Sequence, residues 1–387
     1  GTPVRLAGAA LAAGRRRASW AAGAVGMAVA LAVAVGTMVQ SFRATVVDWT
    51  AQAMRSDLWI RPIAGSTGMH AGRLDPELVG IATGLFGAAA VDPFHTTEAW
   101  AEGNPVTLAG GEMAVVARRG GVPFRGGRDS RDVFAATAEH RGAVINEPFA
   151  RRYGVGEGDT VRLTVGDGTI ERRVEGVFFD YSRHLGMVVL DRADYLSVVP
   201  DEGPREIAVF LPDGSDPAAA RARLRAALGG RFLVDTLLNA ELRREVLAIF
   251  DRTFAITRAL QAVAAAVAVL AVITVLFTLV DERRRELALL RALGASPGQV
   301  GGVVAAEAGL LGVTGAVGGL AVGLGVGLVL VTVVNVQSFG WTLRFLPPWG
   351  DLARTAAWVA LACLVAGLAP AIVAGRTTPR EGLHDEA

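Results

Sequence analysis

The chain has 387 residues, 52% of them hydrophobic, with a mean hydropathy of +0.41, too apolar for an ordinary soluble protein of this size. A net charge of +1 argues against a nucleic-acid binder. All 38 basic residues are arginine, which excludes a P-loop lysine, a Schiff-base lysine and any other catalytic lysine.

The opening GTPVRLAGAALAAGRRR begins at Gly1 and reads as mid-protein sequence, so a fragment lacking its N-terminal part is expected. Ala18–Val39 is an uncharged run of 22 residues behind Arg15, Arg16 and Arg17. At about 1.5 Å per residue it crosses a hydrocarbon core of about 30 Å. It is too long for the core of a secretory signal and no small-x-small cleavage site follows it, so a spanning helix is expected. The basic flank places its N-terminus in the cytoplasm and Ser41 outside.

From Arg43 to Arg258 the sequence is charged and turn-rich, and long enough for an independent core. Asp57–Arg61 reads as a strand and Pro76–Leu85 as a short helix. Val106–Arg118 shows strand alternation, broken at Gly110-Gly111. From Gly142 the pattern predicts strand, helix, turn and strand. A hairpin then turns at Gly166-Asp167-Gly168, with Thr169–Phe179 as its return strand, and Met187–Asp191 is a further strand. Glu206–Leu211, Asp216–Leu228 and Phe232–Leu237 form a β-α-β unit, and from Glu241 the chain is helical.

Ala259–Val280 is a second uncharged span. Behind it, DERRRELALLRALGASPGQV (Asp281–Val300) reads as a charged helix closed by a sharp corner. Arg283, Arg284, Arg285 and Arg291 place it in the cytoplasm. Leu287, Leu290 and Leu293 recur at helical spacing and leave one apolar side to grip. Gly294 reads as the C-terminal cap. Ser296 starts the next helix, with Pro297 at its first position and Gln299 closing a capping box. Gly301–Val334 is the third span, overlong and therefore tilted, kinked or extended past the membrane. Asn335–Leu352 lies outside, with Trp341 and Trp349 suited to an interfacial belt, and Ala353–Ala374 returns inside.

Gly315, Gly319, Gly323 and Gly327 stand four apart and leave one stripe of the third span nearly bare. Such a stripe lets another helix approach closely, within this chain or from a partner half. Glu307, about two turns into that span, sits either at the cytoplasmic headgroups or in a pairing or gating role. Gly294-Ala295-Ser296-Pro297-Gly298 spells G-x-S-x-G, but a helix precedes it and Pro297 has no N–H for an oxyanion. His70, His95, His140, His184 and His384 have no metal-ligand spacing. Gly154, Gly156 and Gly158 run into a strand, not a phosphate-binding helix. Cys363, the only cysteine, lies in an apolar run. No metal, cofactor or catalytic residue is expected.

The run ERRRELALLRALGAS, followed by a Gly-rich membrane helix, resembles the cytoplasmic coupling segment of FtsX/MacB-type ABC transporter permeases, and the resemblance extends over the chain. It implies an α-helical membrane protein with four transmembrane helices, and a large α+β extracytoplasmic domain of the MacB-like periplasmic core type between helices 1 and 2. The cytoplasmic flank and first helix are then residues 1–42, and the outer domain 43–258 with a β-rich insertion at about 119–203. An FtsX-like membrane domain fills 259–387, with the coupling helix at 282–293. The implied function is a non-enzymatic permease subunit that couples a separate cytoplasmic ATPase dimer to outer-domain movement. Lipoproteins, peptides or antibiotics are the cargo class.

The resemblance assigns ATPase docking to Glu282, Arg283, Arg284, Arg285, Glu286, Leu287, Leu290, Arg291 and Gly294. A second permease half or module, membrane lipids and an extracytoplasmic partner protein are the other partners it implies. The location is the bacterial plasma membrane, with both termini cytoplasmic. The segment NVQSFGWTLRFLPPW resembles the outer loop of double-length members, of which this chain would be the C-terminal module. The alternative within the family is an FtsX-like relay that activates cell-wall hydrolases and moves no cargo.

Overall fold

The computed structural model describes residues 15–63, 72–181, 185–282 and 284–376; Arg283, His70, His184 and His384 lie outside them. The chain forms two compact units. One comprises Gly1–Arg43, Asp251–Val334 and Leu343–Ala387, and the other, the outer unit, Ala44–Phe250 and Asn335–Thr342.

Helix α1 (Arg15–Ala53) continues well beyond Val39, the expected end of the first span. The outer unit then runs through β1 (Leu58–Pro62), α2 (Glu77–Phe86), β2 (Val91–Ala101), β3 (Asn104–Gly111), α3 (Met113–Arg119), α4 (Ser130–Glu139) and β4 (Ala143–Asn146). It continues with α5 (Glu147–Tyr153), β5 (Thr160–Val165), β6 (Gly168–Phe178), β7 (Met187–Asp191) and α6 (Arg192–Leu196). The last elements are β8 (Glu206–Val209), α7 (Pro217–Leu228), β9 (Val234–Leu238) and the long helix α8 (Asn239–Glu282). Within this unit the last turns of α1 and the first of α8 are tied together. Arg243 Nη2 donates to the Thr50 carbonyl at 3.0 Å and Asn239 Nδ2 to the Met54 carbonyl at 2.8 Å.

The strands make two layers that share β2. The start of β2 (Val91–Phe94) pairs with β8 in an open antiparallel sheet of order β2-β8-β1-β9. Leu78, Ala82, Leu224 and Leu228 of α2 and α7 bury themselves against Leu58, Ile60, Ile207 and Val209. The expected β-α-β unit is β8-α7-β9, with β1 inserted antiparallel between its two strands. Its helix has Asp216 as N-cap, Pro217 at N1 and Gly229 in the left-handed region at its end.

From His95 onward β2 enters a closed ring of six strands, β2-β3-β7-β4-β6-β5, completed by the Trp100–Thr164 pair. The β-rich part therefore begins at His95 rather than near 119, because β3 and the second half of β2 are ring strands. β5 alternates, with Val161 and Leu163 turned inward. β4 and β7 are apolar up to their last residues, Asn146 and Asp191, because α4 covers the outside, packing Val133 and Phe134 on Val144 and Val189. Gly110 interrupts β3 for steric reasons: a Cβ there would lie 2.5 Å from the Cβ of fully buried Tyr195.

The strand pattern expected through Arg118 stops at Gly111, where α3 begins. Carboxylates organise that switch: Asp92 Oδ1 accepts the Glu112 N–H at 2.7 Å, and Asp191 Oδ1 accepts that of Met113 at 3.3 Å. Asp194 on α6 is buried between Arg172 Nε at 2.6 Å and Arg141 Nη2 at 2.8 Å. Burial alone would raise its pKa, but the two guanidiniums overcome that and hold it below the usual carboxylate range.

The other unit takes its helices from both ends of the chain. After α8 come α9 (Arg284–Ala292), α10 (Pro297–Val329), a π-helical turn (Leu330–Val334), α11 (Asn335–Phe339), α12 (Trp349–Ala366) and α13 (Leu368–Arg376); α11 itself packs in the outer unit. Among the described residues three helical stretches are long and apolar enough to cross a membrane: Ala22–Ala53, Pro297–Phe339 and Trp349–Val373. The expected second span, 259–280, falls inside α8. The overlong third span is explained by continuation, since α10 runs through the π turn into α11.

Asp92 sits where β2 passes from sheet to ring. Burial pushes its carboxyl up to about 7; the Glu112 N–H opposes this, and the charges of Glu112 and Glu206 add to it. A carboxyl whose folded pKa lies above its unfolded value stabilises below the unfolded pKa of about 4, and that contribution is lost as pH rises through 7. Asp92→Asn keeps the acceptor for Glu112 and removes the charge. In the detergent-solubilised chain it should raise Tm by about 5 °C at pH 8 and by less than half of that at pH 5. A gain independent of pH in a thermal scan would contradict this account.

Candidate functional site

Two features of the helical unit stand out: the corner between α9 and α10, and the helix faces that hold α10. The corner is fully capped on both sides. Gly294 adopts φ +96°, the Ala295 N–H bonds to the Leu290 carbonyl at 3.0 Å and the Gly294 N–H to that of Arg291 at 3.1 Å. This is a Schellman termination, which glycine permits without Cβ strain. Two residues on, Ser296 Oγ accepts the Gln299 N–H at 3.2 Å while Gln299 Oε1 accepts the Ser296 N–H at 2.8 Å. That is the reciprocal capping box, with Pro297 at the first helical position. The serine hydroxyl is committed to the cap. Arg291 Nη1 adds a bond to the Ala295 carbonyl at 3.1 Å, and Ala295 packs on a small core of Val280, Val300, Val304 and Ala371.

The corner is therefore rigid and anchored, while α9 presents apolar surface outward. Leu289 and Leu293 are 62% and 83% exposed, and Leu290 lies partly exposed between them. Leu289 was not among the expected residues, because a strict three-residue spacing from Leu287 skips it. Glu282 and Arg285 are exposed beside this face. Arg283 and the side chains of Arg284, Glu286 and Leu287 lie outside the described residues. Among the described side chains of this helix, the leucines form its exposed apolar surface.

The glycine stripe of α10 faces α1 of the same chain. A Cβ at Gly315 would stand 2.7 Å from Val25 Cβ, at Gly319 2.5 Å from the Gly26 carbonyl oxygen, and at Gly323 2.7 Å from that of Ala30. Gly327 is looser, with Thr37 Cβ at 3.3 Å. Beside the stripe, α10 meets α12 through Leu311, Val359 and Cys363, in one cluster with Val25, Val29 and Val33 of α1. Glu307, 5% exposed, is sequestered in this helical packing and engaged with a partner, not solvated at a surface.

In the outer unit His95 Nε2 lies 3.3 Å from Asp201 Oδ1. Burial lowers the His95 pKa, and its Nδ1 pairs with the Pro93 carbonyl, the arrangement of a core histidine. Among the described residues no three His, Cys, Asp or Glu side chains converge as metal ligands.

Residues 21–227 match the family model of the MacB-like periplasmic core domain, and residues 259–379 that of the FtsX-like permease C-terminal domain. The chain belongs to the FtsX/MacB-type permeases of ABC transporters. It is 29% identical over 378 residues to an uncharacterised ABC transporter permease protein of Mycobacterium tuberculosis. That match covers 96% of this chain and 44% of the relative, so the chain spans less than half of the relative's length. Among solved structures, it is similar to the periplasmic region of MacB from Actinobacillus actinomycetemcomitans (15% identity, TM-score 0.35, covering 49% of this chain and 92% of that one). It is also similar to the extracellular domain of the noncanonic ABC-type transporter YknZ from Gram-positive bacteria (14% identity, TM-score 0.32, covering 46% and 98%).

The contact with α1 gives a matched pair of tests. Gly323→Val drives a branched side chain into the Ala30 backbone and should lower the Tm of the solubilised chain by about 5 °C or more. Gly325→Val meets open space and should leave Tm within about 1 °C. Equal losses in a thermal scan would remove the stripe from the α1 interface.

Proposed function

We propose that the chain is a permease module that couples ATP hydrolysis by a separate cytoplasmic ATPase dimer to movement outside the membrane. The observation that carries this reading is the capped corner: a rigid, arginine-rich helix with an outward leucine face, directly between two long helices. Closure of the ATPase dimer displaces this helix, and helices α8 and α10 transmit the displacement by mechanotransmission. Docking falls to Glu282, Arg283, Arg284, Arg285, Glu286, Leu287, Leu290, Arg291 and Gly294, joined by Leu289 and Leu293. Gly315, Gly319, Gly323 and Gly327 keep α1 and α10 moving as one body.

The reading includes four spans, counting 259–280 within α8, in the bacterial plasma membrane with both termini cytoplasmic. The arginine clusters at 15–17 and 283–285 support that orientation. A second permease module completes the pair. Export or extraction of a lipoprotein, peptide or antibiotic-type cargo suits the large MacB-like outer unit better than a relay to cell-wall hydrolases does.

The test is co-purification with the ATPase encoded beside this chain. Wild type should retain the ATPase, and Arg284→Glu combined with Leu290→Asp, still membrane-inserted, should lose at least about tenfold of it. Equal capture by both would move docking away from the corner.

A further inference from the structure

Residues Asn335–Thr342 connect α10 to α12, yet they pack as part of the outer unit. Their seat there is a built polar site around Glu147, the first residue of α5. This carboxylate is 2% exposed. Its Oε2 accepts the Thr342 N–H at 2.8 Å and its Oε1 the Thr342 hydroxyl at 2.5 Å. Arg151, one turn along α5, donates through Nη2 to Glu147 Oε1 and to Thr342 Oγ1, each at 2.8 Å. The Tyr181 hydroxyl donates to the Thr342 carbonyl at 2.9 Å. Amide, hydroxyl and carbonyl of one residue are thus all engaged, the hydroxyl as both donor and acceptor, a role open only to serine or threonine at this backbone position.

The rest of the segment is shaped to present Thr342. Asn335, itself buried, donates through Nδ2 to the Trp341 carbonyl at 2.7 Å and closes the segment on itself. Gly340 takes φ +74°, and a Cβ there would stand 3.1 Å from Pro148 Cα, so the backbone lies directly on the start of α5. Trp341 stacks on Phe339 and meets Tyr181 edge-on at 5.9 Å, which ties it to the outer unit. A carboxylate buried as deeply as Glu147 is costly unless paired and hydrogen-bonded. Arg151, with Arg125 at 4.0 Å, supplies the charge, and Thr342 supplies two of the donors. An empty seat would leave that carboxylate short of partners, a cost that favours the seated segment.

We propose that Glu147 and Thr342 form a coupling latch. The latch holds the 335–342 segment on the strand ring, so displacement of the helices that the segment connects is delivered to the ring through it. The coupling role rests on the permease reading above; the latch itself does not.

The test uses the full chain in lipid nanodiscs, alone and with the ATPase. Hydrogen exchange of the 336–342 amides should rise at least about fivefold in Thr342→Val, which keeps the shape and loses the hydroxyl, and return to wild type in Thr342→Ser. In the complex, Thr342→Val should still retain the ATPase, while the ATP-dependent change in protection of residues 143–191 falls at least about fivefold and recovers with Thr342→Ser. The two threonine variants leave the α5 core untouched, so the test does not depend on whether Glu147→Ala folds. Wild-type exchange in Thr342→Val overturns the latch. Raised exchange with an intact ATP-dependent change overturns the coupling role. A wild-type chain that binds no ATPase overturns the permease reading and the coupling role with it, while the exchange measurement still decides the latch.

Discussion

The helical unit depends on backbone-to-backbone approach between α1 and α10. Inside a bilayer, apolar side chains gain nothing by leaving lipid for one another, so helix association rests on dispersion and close fit. Three glycines of α10 meet α1 at distances that no Cβ could occupy. With α12 packed beside α1 in the same apolar cluster, α10 has two neighbours in its unit.

The outer unit solves a different problem, the placing of carboxylates inside a protein core. Asp194 and Glu147 are met by arginines, with Arg172 and Arg141 on one and Arg151 on the other. Asp92 has its strongest partner in a backbone N–H, and its carboxyl is pushed up to about 7 instead. The three occupy structurally decisive places: the strand that two sheets share, the clasp of α6 on the ring, and the seat of the segment that returns from α10. Polar groups at such points specify one arrangement where apolar packing alone would tolerate several.

Local pattern was legible where local physics decides the outcome. The glycine turn at Gly166-Asp167 carries the β5–β6 hairpin, β7 appears over Met187–Asp191 as the apolar run reads, and the capping box at Ser296 and Gln299 forms with both of its bonds. The pattern misled where a distant group intervenes. Val106–Arg118 alternates like a strand, but Asp92 and Asp191 capture the amides at 112 and 113 and start a helix. The strand at Val91–Ala101 and the helix at Ser130–Glu139 carry mixed patterns, because β2 serves two sheets and α4 buries only part of its surface. Trp341 looked interfacial by composition, and its edge-on contact with Tyr181 joins segments far apart in the chain.

The sequence by itself determined the membrane character, the corner with its caps, the bare stripe on α10 and the family, because hydropathy, helix ends and glycine spacing are properties of short stretches. Only the tertiary structure decided which helix the stripe meets, where the ring begins, that Glu307 is enclosed, and that Thr342 finds Glu147 nearly two hundred residues away. These depend on pairings between segments far apart in the chain, whose partners are selected by shape and charge in three dimensions and leave no periodic trace in one.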